Sequence, residues 1–132
     1  MGIRKYSLFI VIFVFTVSLV GATPPSSVNL KYDLEKQTLY IEAAHVSENL
    51  DRHYLRRIVI YKNDIQVDAI TLTRQKIPTG IEEDVKVSAQ GGDKLSAEVF
   101  CKKGGVARGE MTVPIPPKED DKKEENKNET GF

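Results

Sequence analysis

Cysteine is almost missing from this sequence: Cys101 stands alone among 132 residues, beside only two histidines and no tryptophan. A lone cysteine excludes an intramolecular disulfide and any cysteine-rich zinc cage. Two histidines restrict metal and acid–base chemistry to few arrangements. Neither sign of charge prevails, with 19 Lys and Arg against 19 Asp and Glu. Phosphate neutralisation needs a clear basic excess, so nucleic acid is excluded as a partner. Glycine-rich phosphate loops are lacking too, because Gly91-Gly92 and Gly104-Gly105 read as turns between short apolar runs. Neither histidine adjoins a nucleophile elbow, and Glu82-Glu83-Asp84 is a consecutive, solvated run. No catalytic residue is assigned. Helical periodicity is absent over any long window.

What remains is enough for one domain. Hydrophobic content is 40% and mean hydropathy −0.32, too low for a multi-span membrane protein. The two ends read as non-domain segments. Arg4 and Lys5 precede an uncharged run from Tyr6 to Val20, and Val20-Gly21-Ala22 supplies small residues before a cleavage point. This pattern predicts a cleaved secretory signal peptide over 1–22, with an uncleaved N-terminal anchor as the alternative on a run slightly short for a span; cleavage gives a periplasmic or secreted protein with no membrane attachment. From Pro116 the chain is PPKEDDKKEENKNETGF. It has no aliphatic residue to offset ordering entropy, which predicts a disordered charged tail over 116–132. The folded domain is expected over 23–115.

Within it, short alternating apolar runs are separated by turn residues, the signature of an all-β domain. Val28, Leu30 and Tyr32 alternate first. Gln37–His45 follows, with Leu39, Ile41 and Ala43 on one face. Tyr54–Tyr61 carries Ile58 and Ile60 on one side and Leu55, Val59 and Tyr61 on the other. Lys62-Asn63-Asp64 predicts a hairpin into Ile65–Thr73. Arg74–Ile81, with Pro78 and Gly80, reads as a crossing loop. Val85, Val87 and Ala89 form the next inward set. Leu95, Ala97, Val99 and Cys101 form another, and Val106–Val113 closes the sheet. About seven strands with turns every 8–12 residues predict an immunoglobulin-like β-sandwich.

Three side chains can carry chemistry. Parity turns Cys101 towards the core, as a buried inert hydrophobe or a metal ligand. His45 ends the Leu39-Ile41-Ala43 face, either as a hydrogen-bonded rim histidine or as a ligand. His53 opens the next strand within the basic cluster Arg52–Arg57, which equally describes a solvated face. Imidazole and thiolate suit iron, copper and zinc, and strand ends can converge at one rim of a sandwich. Blue copper is disfavoured, because no histidine lies between Cys101 and Met111.

The segment AAHVSENLDRHYLRRIVIYKND (43–64) resembles the first ligand segment of the desulfoferrodoxin, or superoxide reductase, iron-binding domain. There a histidine and a short loop lead to a His-Tyr that opens a strand. Gly92-Asp93-Lys94-Leu95 through Phe100-Cys101-Lys102-Lys103-Gly104-Gly105 resembles the second segment, where a Gly-Asp turn leads to a strand ending in the ligand cysteine. The resemblance implies ferrous iron held by equatorial histidines and an axial thiolate, a redox donor as partner, and reduction of superoxide to peroxide. Carried over, His45 and His53 would be equatorial ligands and Cys101 the axial one. Gly104 stands where the family has a further histidine, and Glu35-Lys36 is followed by Gln37 rather than a histidine, so the implied site is incomplete. The same strand order is also similar to the sulfur-oxidation protein SoxZ. That likeness implies a noncatalytic module holding a protein partner at a sheet edge or at the Arg52–Arg57 surface.

Overall fold

A computed structural model describes residues 23–118. The expected leader, and the tail beyond residue 118, lie outside the described residues. Seven strands follow in order: β1 (Ser27–Asp33), β2 (Thr38–Ala44), β3 (Leu55–Lys62), β4 (Ile65–Thr71), β5 (Gly80–Lys86), β6 (Lys94–Cys101) and β7 (Val106–Thr112). They form a three-stranded sheet, β1-β2-β5, and a four-stranded sheet, β4-β3-β6-β7, with every pairing antiparallel. The all-β sandwich read from alternation is the fold. No helix among the described residues is long and apolar enough to cross a membrane.

The core lies between the sheets. Leu39, Ile41 and Ala43 from β2 meet Leu95, Ala97, Val99 and Cys101 from β6, all essentially without solvent contact. Each large aliphatic side chain so buried contributes about 1.5–3 kcal/mol. At the β3–β4 hairpin, Asn63 and Asp64 both take left-handed backbone angles (φ 51° and 65°), the pair a two-residue type I′ turn requires. Close packing of the two sheets depends on Gly109, since a Cβ there would collide with the Val28 carbonyl oxygen of β1.

Two local expectations fail for physical reasons. Strict alternation put Leu55 on the face of Val59 and Tyr61, yet Leu55 packs in the core cluster with Ile58 and Ile60. A β-bulge between Leu55 and Arg57, opposite the end of β6, inserts one residue and resets the alternation. Val87 and Ala89 are inward as expected, but they lie beyond the strand, since β5 ends at Lys86. Buried Tyr32 holds them instead. Its hydroxyl donates to the Val87 carbonyl at 2.7 Å and accepts from the Ala89 N–H at 3.1 Å, while Gln37 Oε1 accepts the same N–H at 2.9 Å. The crossing loop is also shorter than expected, because β5 already begins at Gly80.

Candidate metal centre

One rim of the sandwich gathers the end of β2, the start of β3 and the end of β6. His45 is the first residue past β2, and its N–H donates to the Thr79 carbonyl at 2.8 Å. The Ser47 N–H donates to Pro78 at 2.9 Å, and the Gln75 N–H to Leu50 at 3.0 Å. The loop after β2 is thus zipped to the loop before β5. His53 is fixed by its N–H to the Asn49 carbonyl at 2.8 Å and by the Ser47 hydroxyl, which donates to the His53 carbonyl. Cys101 pairs with Leu55 across the sheet, and the Lys102 N–H reaches the Tyr54 carbonyl at 2.9 Å. The β3 start and the β6 end are therefore tied together, and the bulge lies beside them.

His45, His53 and Cys101 come together there. Their ligand atoms all lie within 4.8 Å of one another. The imidazoles meet edge to face, with centroids 4.7 Å apart and planes at 84°. Cys101 is 2% exposed and His45 4% exposed, while His53 is half-buried.

The protonation of His45 follows from its partner Gln75, which is fully buried. Gln75 Nε2 donates to the His45 carbonyl and to the Ile77 carbonyl, both at 2.8 Å. Two carbonyl acceptors fix that end as the amide nitrogen. Gln75 Oε1 then faces His45 Nδ1 at 2.9 Å and can only accept, so Nδ1 carries the proton. His45 Nε2 is left as a bare lone pair, buried and without any hydrogen-bond partner. A buried acceptor left unsatisfied costs about 1–3 kcal/mol, and a metal ion at Nε2 removes that cost. An oxygen acceptor on the far nitrogen is the kind of supporting contact that metal-binding imidazoles ordinarily have, and here a side-chain amide supplies it.

The His53 ring is biased towards its uncharged form. Burial pushes its pKa down, and the neighbouring His45 and the positive charge of Lys103 push it further the same way. Its Nε2 lies 2.7 Å from Thr23 Oγ1, and the same hydroxyl is 3.5 Å from Cys101 Sγ. At metal–donor distances of ~2.0 Å for imidazole and ~2.3 Å for thiolate, opposite ligands of one ion stand up to about 4.3 Å apart. Small side-chain rotations would therefore let the three donors close on one transition-metal ion.

Sequence pattern alone does not mark Gln75 or Thr23 as site residues. Gln75 was one polar residue in the crossing loop, and nothing in its neighbours marks it. Thr23 carried the one available signal, its place directly after the expected cleavage point.

The fold and this rim define a β-sandwich with a His–His–Cys cluster suited to a transition metal. Among solved structures, superoxide reductase from Giardia intestinalis superposes with a TM-score of 0.51 at 12% identity, covering 68% of this chain and 99% of that one. Neelaredoxin-type superoxide reductase from Ignicoccus hospitalis gives 0.43 at 16% identity, covering 67% and 81%. A hypothetical protein from Pyrococcus horikoshii gives 0.46 at 21%, covering 70% and 92%. The fold is thus similar to that of superoxide reductase. No protein-family model and no curated protein matches the sequence.

Proposed function

We propose that this is an exported, single-domain metalloprotein that binds ferrous iron through His45 Nε2, His53 Nε2 and Cys101 Sγ, in a reduced version of the superoxide reductase site. The observation that carries this reading is the His45 ring. Its tautomer is set by Gln75, its Nε2 lone pair is buried and unpartnered, and the ring belongs to a cluster whose ligand atoms lie within 4.8 Å of one another. The similarity of fold supports iron over other metals.

Bound iron would supply a one-electron couple suited to superoxide reduction. The chain's own contributions are positional. Gln75 orients one imidazole, Ser47 and Asn49 hold the loop that carries the other, and the sheet pairing of Leu55 with Cys101 keeps the sulfur beside them. Lys102, its ammonium 5.1 Å from the centre of the Tyr54 ring, and Lys103 put positive charge beside the cluster, which favours approach of a small anion. The Thr23 hydroxyl sits between His53 and Cys101 as a proton-holding group.

Anaerobic titration with ferrous iron tests the reading. About one equivalent should bind, and Cys101→Ser should abolish it; binding below about a tenth of an equivalent, unchanged in that variant, would sink it.

A noncatalytic, SoxZ-like partner-binding role is the second reading. It is favoured by the adjacent exposed side chains of Arg56 and Arg57 and by edge strand β4, where Ile65 is 70% and Val67 45% exposed. An unprotected strand edge is a ready template for pairing with another chain. Charge reversal at both arginines should then weaken capture of a protein partner from periplasmic extract. Equal capture would remove that surface.

A further inference from the structure

Two imidazoles and one thiolate leave a transition metal short of donors, and Thr23 is placed to correct this. We infer that removal of the leader between Ala22 and Thr23 completes the metal site, with the new α-amino nitrogen of Thr23 serving as a fourth ligand. The inference rests on the metal-site reading above.

The geometry comes from the N-terminal segment. The Thr23 hydroxyl already touches His53 Nε2 at 2.7 Å and lies 3.5 Å from Cys101 Sγ. The main-chain nitrogen of a threonine is three bonds from its Oγ1, about 2.9 or 3.7 Å away in staggered rotamers. Nitrogen and hydroxyl together would form a five-membered chelate facing both donors.

The segment is also anchored. Gly105 has φ +92°, and a Cβ there would meet the Pro24 nitrogen at 2.7 Å and the Pro24 Cδ at 2.9 Å. The lack of a side chain at Gly105 lets the segment lie against the turn after Cys101. That turn is itself closed on the cysteine, with the Cys101 N–H donating to Gly105 and the Gly104 N–H to Cys101. On the other side, the Ser26 N–H donates to the Ala44 carbonyl at 2.8 Å, one residue before His45.

The chemistry explains why cleavage matters. In the uncut chain the Thr23 nitrogen is an amide, its lone pair delocalised into the carbonyl, and it is a poor ligand. Hydrolysis of the Ala22–Thr23 bond by a leader-removing peptidase consumes one water, leaving a carboxylate on Ala22 and an amine on Thr23. The amine has a free lone pair when unprotonated. Pro24 has no N–H, so coordination by a deprotonated second amide is closed, and the first residue brings the amine with its hydroxyl or carbonyl oxygen. Because a residue before proline is confined to extended angles, less freedom is lost when the chelate forms. Export and metal loading would be linked: the ion is held firmly only after the leader has gone.

The experiment uses the full chain exported and processed in a bacterial host. Intact mass should show Thr23 as the first residue; a product starting elsewhere overturns the inference. Zinc is then added to the processed wild-type protein during brief acylation of amines, followed by peptide mapping. The Thr23 amine should be protected about tenfold or more over its metal-free rate, while surface lysines are unaffected. Equal acylation with and without zinc overturns the inference. A companion variant, with one glycine inserted between Ala22 and Thr23, moves the amine one residue away and should bind zinc at least about tenfold more weakly. Unfolding of the metal-free proteins shows whether that variant keeps its fold, and the wild-type protection result does not depend on it. If Cys101→Ser abolishes binding while the Thr23 amine stays unprotected, the fourth ligand is wrong and the three-ligand site stands. If no form binds metal, both fall.

Discussion

Gln75→Ala should lower metal-free stability and metal affinity together, because one amide supports both. Its three hydrogen bonds, to His45 Nδ1, the His45 carbonyl and the Ile77 carbonyl, measure 2.9, 2.8 and 2.8 Å. At about 0.5–1.5 kcal/mol each, with part of the loss offset by water entering the cavity, the substitution should cost about 2–4 kcal/mol. That is a large share of the 5–15 kcal/mol typical of a small domain. Urea unfolding of the metal-free protein reads it directly. A double-mutant cycle with His45→Leu should give a coupling of about 1 kcal/mol, since one buried hydrogen bond joins the two side chains. Affinity for ferrous iron should fall about 10–100-fold, as when a contact supporting a metal-bound histidine is removed. Nitrogen chemical shifts of the His45 ring give the independent signature: Nδ1-protonated in the wild type, mixed between tautomers in the variant. A stability change within about 0.5 kcal/mol, with affinity and tautomer unmoved, would refute the reasoning.

Further outcomes follow from other contacts. Gly105→Ala combines a left-handed backbone angle with a collision at Pro24 and should destabilise by about 1–3 kcal/mol, read by urea unfolding. Tyr32→Phe removes the hydroxyl that serves both Val87 and Ala89 and should cost about 1–3 kcal/mol, with faster amide exchange after β5. Asp93 has its pKa lowered by the Asn63 side-chain amide and then by the Gln90 N–H. A lowered carboxylate pKa stabilises the fold above its unfolded value of about 3.9, and that contribution is lost as pH falls through the folded value. Asn63→Gly keeps the left-handed turn but removes the amide, so its urea-unfolding stability should fall less steeply than the wild type's below about pH 4.

Much of the fold is legible along the chain, because alternation is a local property. Leu95, Ala97, Val99 and Cys101 are all inward, as their spacing requires, and so are Leu39, Ile41, Ala43 and His45. The bulge at Arg56 is not legible, since it depends on how β3 registers against β6. The inward set Val85, Val87 and Ala89 is legible, but the end of β5 at Lys86 and the hold of Tyr32 on the residues beyond it, from more than fifty residues away in sequence, are not. The candidate site divides in the same manner. Its three donors stand out by residue type, as imidazole and thiolate are scarce here. Their meeting depends on three strand ends sharing one rim, which spacing does not encode. Gln75 is invisible because a buried glutamine and a solvated loop glutamine look the same in one sequence.

Anomalous diffraction is the most direct trial of the shared ion. Crystals of the exported protein, soaked anaerobically in ferrous salt, should show a single iron peak within bonding distance of His45 Nε2, His53 Nε2 and Cys101 Sγ. No peak at that rim, or one bound elsewhere with the two rings and the sulfur left unengaged, would contradict it.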